Sequence, residues 1–174
     1  MGQPSESEKV RGYILSQANK LSLPDLVAKV RTDTAPLREI VATVPADRLF
    51  ERPADEDWSA AEVFTHILDM NDTGAAAIVG ILDHGAVPGT IRDLMAAGTR
   101  DGLATASDYW DAFEAPREAL LARVLKAKGD ERLDLKITHP MFGELSWREW
   151  LLFMRVHDLD HMRQLQTISN HFAT

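Results

Sequence analysis

The sequence predicts an all-α fold, an up-down four-helix bundle with a long connection between helices two and three and a short extended arm before helix four. Four long segments repeat apolar residues every three or four positions, which is the spacing of one helical face. Strand signals are few, and an even number of long helices favours a bundle. A non-bundle all-α fold is the alternative, because it follows the same packing rules with different connectivity.

The domain prediction is a single bundle domain over residues 22–174, preceded by a loosely tied extension over residues 1–21. A chain of 174 residues is long enough to bury one substantial core. Within the extension, Val10–Ala18 has the composition of a short helix. No segment resembles a signal peptide or is apolar enough to span a bilayer, so we expect a soluble cytoplasmic protein.

Charge and cysteine content exclude several classes of function. The formal net charge is −8, which disfavours nucleic acid and anionic membranes as main partners. The chain has no cysteine, so disulfides, cysteine-ligated zinc sites and protein thiol nucleophiles are all excluded. No phosphate-binding glycine loop or nucleophile elbow is present either.

The first predicted helix starts near Ser22. Pro24 suits a first helical turn, and Asp25 complements the positive end of the helix dipole. Pro36 removes a backbone donor and therefore predicts a kink or a break into two helices. Pro45 ends the segment.

The second predicted helix opens with a capping box formed by Ser59 and Glu62. It is expected to run to about Leu82 or His84, with Gly85 as its stop. One face of this helix should be buried: Val63, Ile67, Met70, Gly74, Ala77, Ile78 and Ile81. The small residues in this face would let a neighbouring helix approach closely.

Residues 85–106 form a glycine-rich connection, with one or two helical turns expected over Ile91–Ala97. Long connections in compact domains often carry function, so this one could wall a pocket. The third helix is predicted to have Ser107 as its N-cap, a bend at Pro116 and a stop at Gly129.

A short extended arm should follow the third helix. Proline and glycine at Pro140–Gly143 are typical of a turn. Apolar residues alternate with polar ones ahead of that turn, which predicts a short strand or extended arm through Leu133, Leu135 and Ile137.

The last helix is predicted to open at a second capping box, Ser146 with Glu149, and to reach about Asn170. Its apolar face includes two imidazoles: Trp150, Met154, His157, His161, Leu165 and Ile168. A buried imidazole must find partners for its nitrogens or it costs stability. A shared metal ion would satisfy both histidines at once.

A metal site needs at least one more ligand, because zinc and related ions take three or four. His66 is the best candidate, since it lies at the edge of the predicted buried face of the second helix. Three neutral imidazoles suit zinc, nickel, copper or iron(II) and leave room for water or substrate. Ordinary hydrogen-bonded or surface histidines are the alternative. The segment lacks the His-Glu-x-x-His signature of metalloproteases.

Other polar residues are weaker candidates. Asp69 and Asp158 could orient ligand imidazoles, but a helix-surface carboxylate is the favoured interpretation of each. Gln164 could contact a bound ligand, with a bundle-edge amide as the alternative. His139 is expected to hold the turn that follows it. Two histidines lie near predicted helix ends, where a cation is favourable: His84 and His171.

Three motifs follow one another along the chain: Trp58-Ser59-x-x-Glu62-x-x-x-His66, then His139-Pro140-x-Phe142-Gly143-x-Leu145-Ser146-x-x-Glu149, then His157-x-x-x-His161-x-x-Gln164. This ordered set resembles the DinB-like superfamily of bacterial four-helix-bundle proteins. The resemblance implies that one histidine of the second helix and two of the fourth bind a divalent metal, here His66, His157 and His161. It also implies a long connection between helices two and three, and frequent homodimers.

The resemblance further implies a class of reaction. Members with assigned activity resemble metal-dependent S-transferases or isomerases that use a low-molecular-weight thiol such as mycothiol or bacillithiol. Zinc or nickel is the expected metal, and a small-molecule thiol is compatible with the absence of cysteine. The alternatives are a metal-dependent hydrolase with a nearby aspartate as base, and a non-catalytic, stress-linked binding or dimerisation module.

Overall fold

The protein is represented by a computed structural model, which describes residues 5–91 and 98–173. Among them the fold is all-α, as predicted, with one small antiparallel hairpin. The helices are α1 (Glu6–Lys20), α2 (Leu23–Thr34), α3 (Leu37–Ala42), α4 (Ala60–Val79), α5 (Ala106–Val124) and α6 (Trp147–Phe172). A 3-10 turn (Ala46–Arg48) and a π-helical turn (Gly80–His84) separate some of them, and the strands are β1 (Ile137–His139) and β2 (Gly143–Leu145).

The bundle is organised around α4 and α6, which pack against each other. α6 also contacts α1, α2 and α3, whereas α4 also contacts α5. The predicted first helix corresponds to α2 and α3 together. None of the helices in the described part of the chain is long and apolar enough to cross a membrane.

Residues 5–21 are more ordered than their polar composition indicates. Ser5 and Glu8 form a capping box that starts α1, and Ile14 and Ala18 are fully buried in the core. The carbonyl of Ala18 also accepts from the Arg148 guanidinium. The expected loose attachment is therefore wrong for residues 6–20, because buried apolar side chains and a distant arginine hold this helix against the bundle.

The break at Pro36 is confirmed. α2 ends at Thr34 and α3 begins at Leu37, so the proline lies between two helices rather than inside one. The predicted start is also correct, because the hydroxyl of Ser22 accepts from the backbone N–H of Asp25.

The second predicted helix is confirmed at both ends. Ser59 and Glu62 make the capping box reciprocally, and Gly85 ends the π-helical turn with a left-handed φ of 65°. The close helix approach is confirmed at Gly74, where an added Cβ would lie 2.6 Å from Sδ of Met154 on α6. A larger residue at this position would require the side chain of Met154 to shift.

The third helix starts two residues earlier than predicted. Thr105, and not Ser107, is the N-cap, because its hydroxyl accepts from the backbone N–H of Asp108 while the Asp108 carboxylate accepts from the N–H of Thr105. Pro116 lies inside α5, which ends at Val124, before the predicted stop at Gly129. Residues 92–97 of the helical turns expected over Ile91–Ala97 lie outside the described residues.

The arm is a hairpin that begins later than the leucine alternation indicates. β1 starts at Ile137, which pairs with Leu145 of β2, and the predicted turn separates the two strands. Leu133 and Leu135 instead pack, half-buried, against the core as irregular chain. The last helix is confirmed, because Ser146 and Glu149 form its capping box, although it continues to Phe172.

Candidate metal centre

Three histidines from two helices converge inside the bundle. His66 comes from α4, whereas His157 and His161 lie one turn apart on α6. Their ligand atoms all lie within 4.8 Å of one another, and Nε2 of His157 is 3.0 Å from Nε2 of His66. The structure therefore brings together the three residues that sequence reasoning had selected.

The donor set fits a divalent transition metal. Nitrogen ligands at about 2.0–2.1 Å from a tetrahedral ion lie about 3.3 Å from one another. The separations between the ligand nitrogens, from 3.0 to 4.8 Å, include this value. Small side-chain rotations would therefore bring all three nitrogens to bonding distance from one ion. His66 and His157 are buried, His161 is half-buried, and the edge of the Trp58 ring packs on the His66 ring with centroids 5.4 Å apart.

Gln164 sets the tautomer of His161. Oε1 of Gln164 lies 2.9 Å from Nδ1 of His161. Because an amide oxygen only accepts, Nδ1 carries the proton and Nε2 keeps the lone pair that a metal requires. Burial, with a smaller contribution from the nearby His157, lowers the pKa of His161 to about 4. The ring is therefore neutral, as a ligand must be, over the physiological pH range.

Asp158 is buried and not a surface carboxylate, and it lies behind the histidines. Its Oδ1 is 4.0 Å from Nδ1 of His157, and its Oδ2 accepts from Nη1 of Arg117 at 2.8 Å. Nε of Arg117 donates to Oδ1 of Asn71 at 2.7 Å. These three side chains, named here the interior network, tie α4, α5 and α6 together next to the site.

The interior network also fixes the charge of the site. Burial opposes ionisation of Asp158, but the Arg117 guanidinium and His157 outweigh it and hold the pKa of this carboxyl below its usual range. The carboxylate is therefore charged and balanced by Arg117. As metal ligands the three imidazoles would be neutral, so they would not offset the charge of a dication.

Sequence reasoning missed Arg117, although a signal for it exists. The apolar face of α5 runs through Phe113, Leu120, Leu121 and Val124, and Arg117 occupies that face at helical spacing. A cation in an apolar stripe requires a buried partner. The partner's position depends on how α5 packs against α6.

The other polar residues that the sequence suggested lie away from the three histidines or have a structural role. Asp69 does not reach the histidines, because its carboxylate is half-exposed and pairs with Arg100 at 2.6 Å. His139 holds its turn as predicted, since its Nδ1 accepts from the backbone N–H groups of Met141 and Phe142 at 3.1 and 3.2 Å. His84 is exposed at the end of its helix.

A cavity of about 970 Å³ opens beside the three histidines. Its walls come from α1, from the loop before α4, from the hairpin and from α6. The expectation that the 85–106 connection walls the pocket is not met by the described residues of that connection, since none of them lines the cavity. Representative lining residues are Lys9, Val10, Asp57, Met141, Phe142 and Gln164.

Comparison with known proteins places these features in a family. The sequence model described as the DinB superfamily matches residues 30–165. Among curated proteins, the chain is similar to the uncharacterized protein YuaE of Bacillus subtilis (strain 168). The two are 24% identical over 136 residues, which cover 70% of this chain and 83% of the relative.

Proposed function

The chain belongs to the DinB superfamily, and on this premise we propose that it is a metal-dependent enzyme that acts with a low-molecular-weight thiol, of the S-transferase or isomerase type. The metal is a divalent ion such as zinc or nickel, held by His66, His157 and His161. The observation that carries the proposal is the convergence of these three imidazoles at the edge of a large cavity.

The chain's own residues favour an anionic fourth ligand at such a site. The three imidazoles are neutral donors, and Asp158 is already balanced by Arg117 at 2.8 Å. The three ligands themselves would not offset the charge of a dication, and a thiolate is an anion that does. When bound, the metal supplies Lewis acidity, which lowers the pKa of a coordinated thiol.

The cavity supports a substrate of appreciable size beyond the sulfur atom. Binding sites for small molecules usually measure about 300–1,000 Å³, and they combine apolar walls with a few polar groups. This cavity has that composition, with an aromatic and apolar wall at Tyr13, Met141, Phe142 and Phe153.

Hydrolysis is the weaker alternative. It requires a base to activate water, and Asp158 is the carboxylate beside His157. The lowered pKa of Asp158 and its ion pair with Arg117 make this group a poor proton acceptor. A purely structural metal in a non-catalytic module would require a saturated set of protein ligands.

Cobalt substitution tests the proposal directly. Untagged protein would first be assayed for metal by elemental analysis and then, after chelation, loaded with Co²⁺. Small thiols should produce an intense thiolate-to-cobalt charge-transfer band in the near ultraviolet. His157→Ala should lose both the stoichiometric metal and the band, whereas His84→Ala, which removes an exposed histidine, should keep both.

Three outcomes would overturn the proposal. Stoichiometric cobalt with no spectral change for any thiol would favour a structural ion. Full retention of metal in His157→Ala would place the metal elsewhere. Turnover of an ester and amide panel that is abolished by chelation, without a thiolate band, would favour the hydrolase instead.

The homodimer and the cytoplasmic location remain predictions. Light scattering on the metal-loaded protein measures its mass in solution and tests the first of them.

A further inference from the structure

The wall formed by α1 is the part of the cavity that the family match does not include. The match begins at residue 30, whereas α1 covers Glu6–Lys20. Four residues from the first two turns of α1 line the cavity: Glu6, Lys9, Val10 and Tyr13. A helix outside the matched region therefore completes the space beside the three histidines.

Contacts from distant parts of the chain hold this helix in place. Nε of Arg11 donates to the carbonyl of Phe142 at 2.8 Å, which joins α1 to the hairpin. Nη1 of Arg155 donates to the hydroxyl of Tyr13 at 3.1 Å, which joins it to α6. Ile14 is fully buried beneath these contacts. These contacts hold the α1 wall of the cavity in place before a ligand binds.

Among the basic residues that line the cavity, Lys9 differs from the other two. Arg155 is held by Asp33 at 2.6 Å, and Arg163 lies 3.9 Å from Asp160. Lys9 is exposed, and it takes part in none of the ion pairs found among the described residues, although Glu6 lies one turn before it on the same helix. Lys9 is therefore the cation of this wall whose charge is open to a ligand.

The cavity that Lys9 lines also has apolar walls. Val10 of α1 and Met141 and Phe142 of the hairpin line it. Met141 is 67% exposed, so its side chain is accessible to a ligand. A cavity with apolar walls and a cation is complementary to a ligand with an apolar body and an anionic end.

We infer that α1 is a specificity-determining element, and that the thiol carries a carboxylate that Lys9 binds while the body of the thiol lies against Val10, Met141 and Phe142. This inference rests on the proposed function, because it assumes that the sulfur end of the ligand lies at the three histidines. Glu6, Glu56, Asp57 and Asp160 also line the cavity, so binding of the carboxylate depends on the local position of Lys9 and not on a general positive field.

A thiol series of graded length tests the inference. ω-Mercaptoalkanoic acids of increasing chain length would be titrated into Co²⁺-loaded protein, each beside the mercaptoalcohol of the same length. The charge-transfer band reports binding in both series. We expect the acid to bind more tightly than its alcohol only above a chain length that spans the distance to Lys9. The preference should be about twofold to fivefold, as expected for one exposed ion pair.

Two matched lysines make the test specific. Lys9→Met should abolish the acid preference and leave the affinity for the alcohols unchanged. Lys20→Met, at the other end of the same helix and away from the cavity, should leave the preference intact. Thermal unfolding of each variant shows whether α1 keeps its place.

The other possible outcomes distinguish failure of this inference from failure of the proposed function. A preference that survives in Lys9→Met, that disappears equally in Lys20→Met, or that is absent from the wild-type protein at every length overturns the inference. In all three cases the thiolate band itself still supports the proposed function. Absence of the band with every thiol, acid or alcohol, overturns the proposed function instead.

Discussion

Two arginine–carboxylate clusters in this protein have almost the same geometry and opposite surroundings. In the interior network, Nη1 of Arg117 lies 2.8 Å from Asp158, with side chains 3% and 1% exposed. At the surface, Nη2 of Arg100 lies 2.6 Å from Asp69 and 2.8 Å from Asp72, with side chains 32%, 46% and 47% exposed. Distance alone does not distinguish them.

Burial decides what each cluster does. Water screens the surface pair, so its contribution to stability is about 0–1 kcal/mol. The interior pair has lost its hydration, and each charge depends on the other. Asp158 also adjoins His157, so the interior pair fixes the charge beside the metal ligands, whereas the surface pair only links the 98–106 segment to α4.

Removing one partner of the interior pair should give the largest effect. Arg117→Met leaves Asp158 buried without its counter-charge, and we expect a loss of about 3–5 kcal/mol in the free energy of unfolding. Urea denaturation of the metal-free protein measures it. The double variant Arg117→Met/Asp158→Leu should recover most of the loss, because it removes the orphan charge. A loss below about 1 kcal/mol in the single variant would mean that the two clusters are energetically alike.

The pH dependence of the free energy of unfolding tests a second buried ionisable group, His161. His161 has a pKa of about 4 when folded, against an ordinary value of 6.5. Between these values the unfolded chain binds a proton that the folded chain does not, so stability falls as the pH falls from about 6.5 to about 4. The contribution of His161 to this slope should reach at most about 1.4 kcal/mol per pH unit.

The control for this slope is His161→Gln, in metal-free protein followed by urea denaturation at each pH. The variant should show a shallower slope than the wild-type protein within the same window, because the carboxyls with lowered pKa, such as Asp158, still contribute. An equal slope in both proteins would assign the proton uptake to another group.

The smallest effect is expected at the surface. Arg100→Met removes both ion pairs with Asp69 and Asp72, but the freed carboxylates remain hydrated. We expect a change of about 1 kcal/mol or less in the free energy of unfolding, and this change should shrink further in 0.5 M salt. A loss comparable to that of Arg117→Met would contradict the distinction based on burial.

Local signals explain why most helix boundaries could be predicted. Ser59 with Glu62 and Ser146 with Glu149 satisfy backbone groups within four residues, and Pro36 blocks a helix by its own ring. The error at Ser107 is also local, because Thr105 with Asp108 makes a better capping box two residues earlier. Such choices depend on a few neighbouring residues, which the sequence displays directly.

The errors at α1 and Asp158 have a different origin. The sequence of residues 6–20 does not indicate that Ile14 is buried. Its burial depends on the packing of α1 against α6, to which the hydrogen bond of Arg148 contributes. Asp158 occupies a helix position that is usually solvated, and it is buried because Arg117 arrives from α5. Both features depend on partners more than 40 residues away in the chain.

The amino-acid sequence by itself determined the helices, their principal start and stop signals, and the presence of His157 and His161 on one helical face, because these follow from backbone hydrogen bonding and from 3.6 residues per turn. The tertiary structure alone decided that His66 meets that pair, that Arg117 balances the carboxylate beside it, and that α1 closes the cavity. Packing of whole helices sets these juxtapositions, and burial then turns ordinary polar residues into a site.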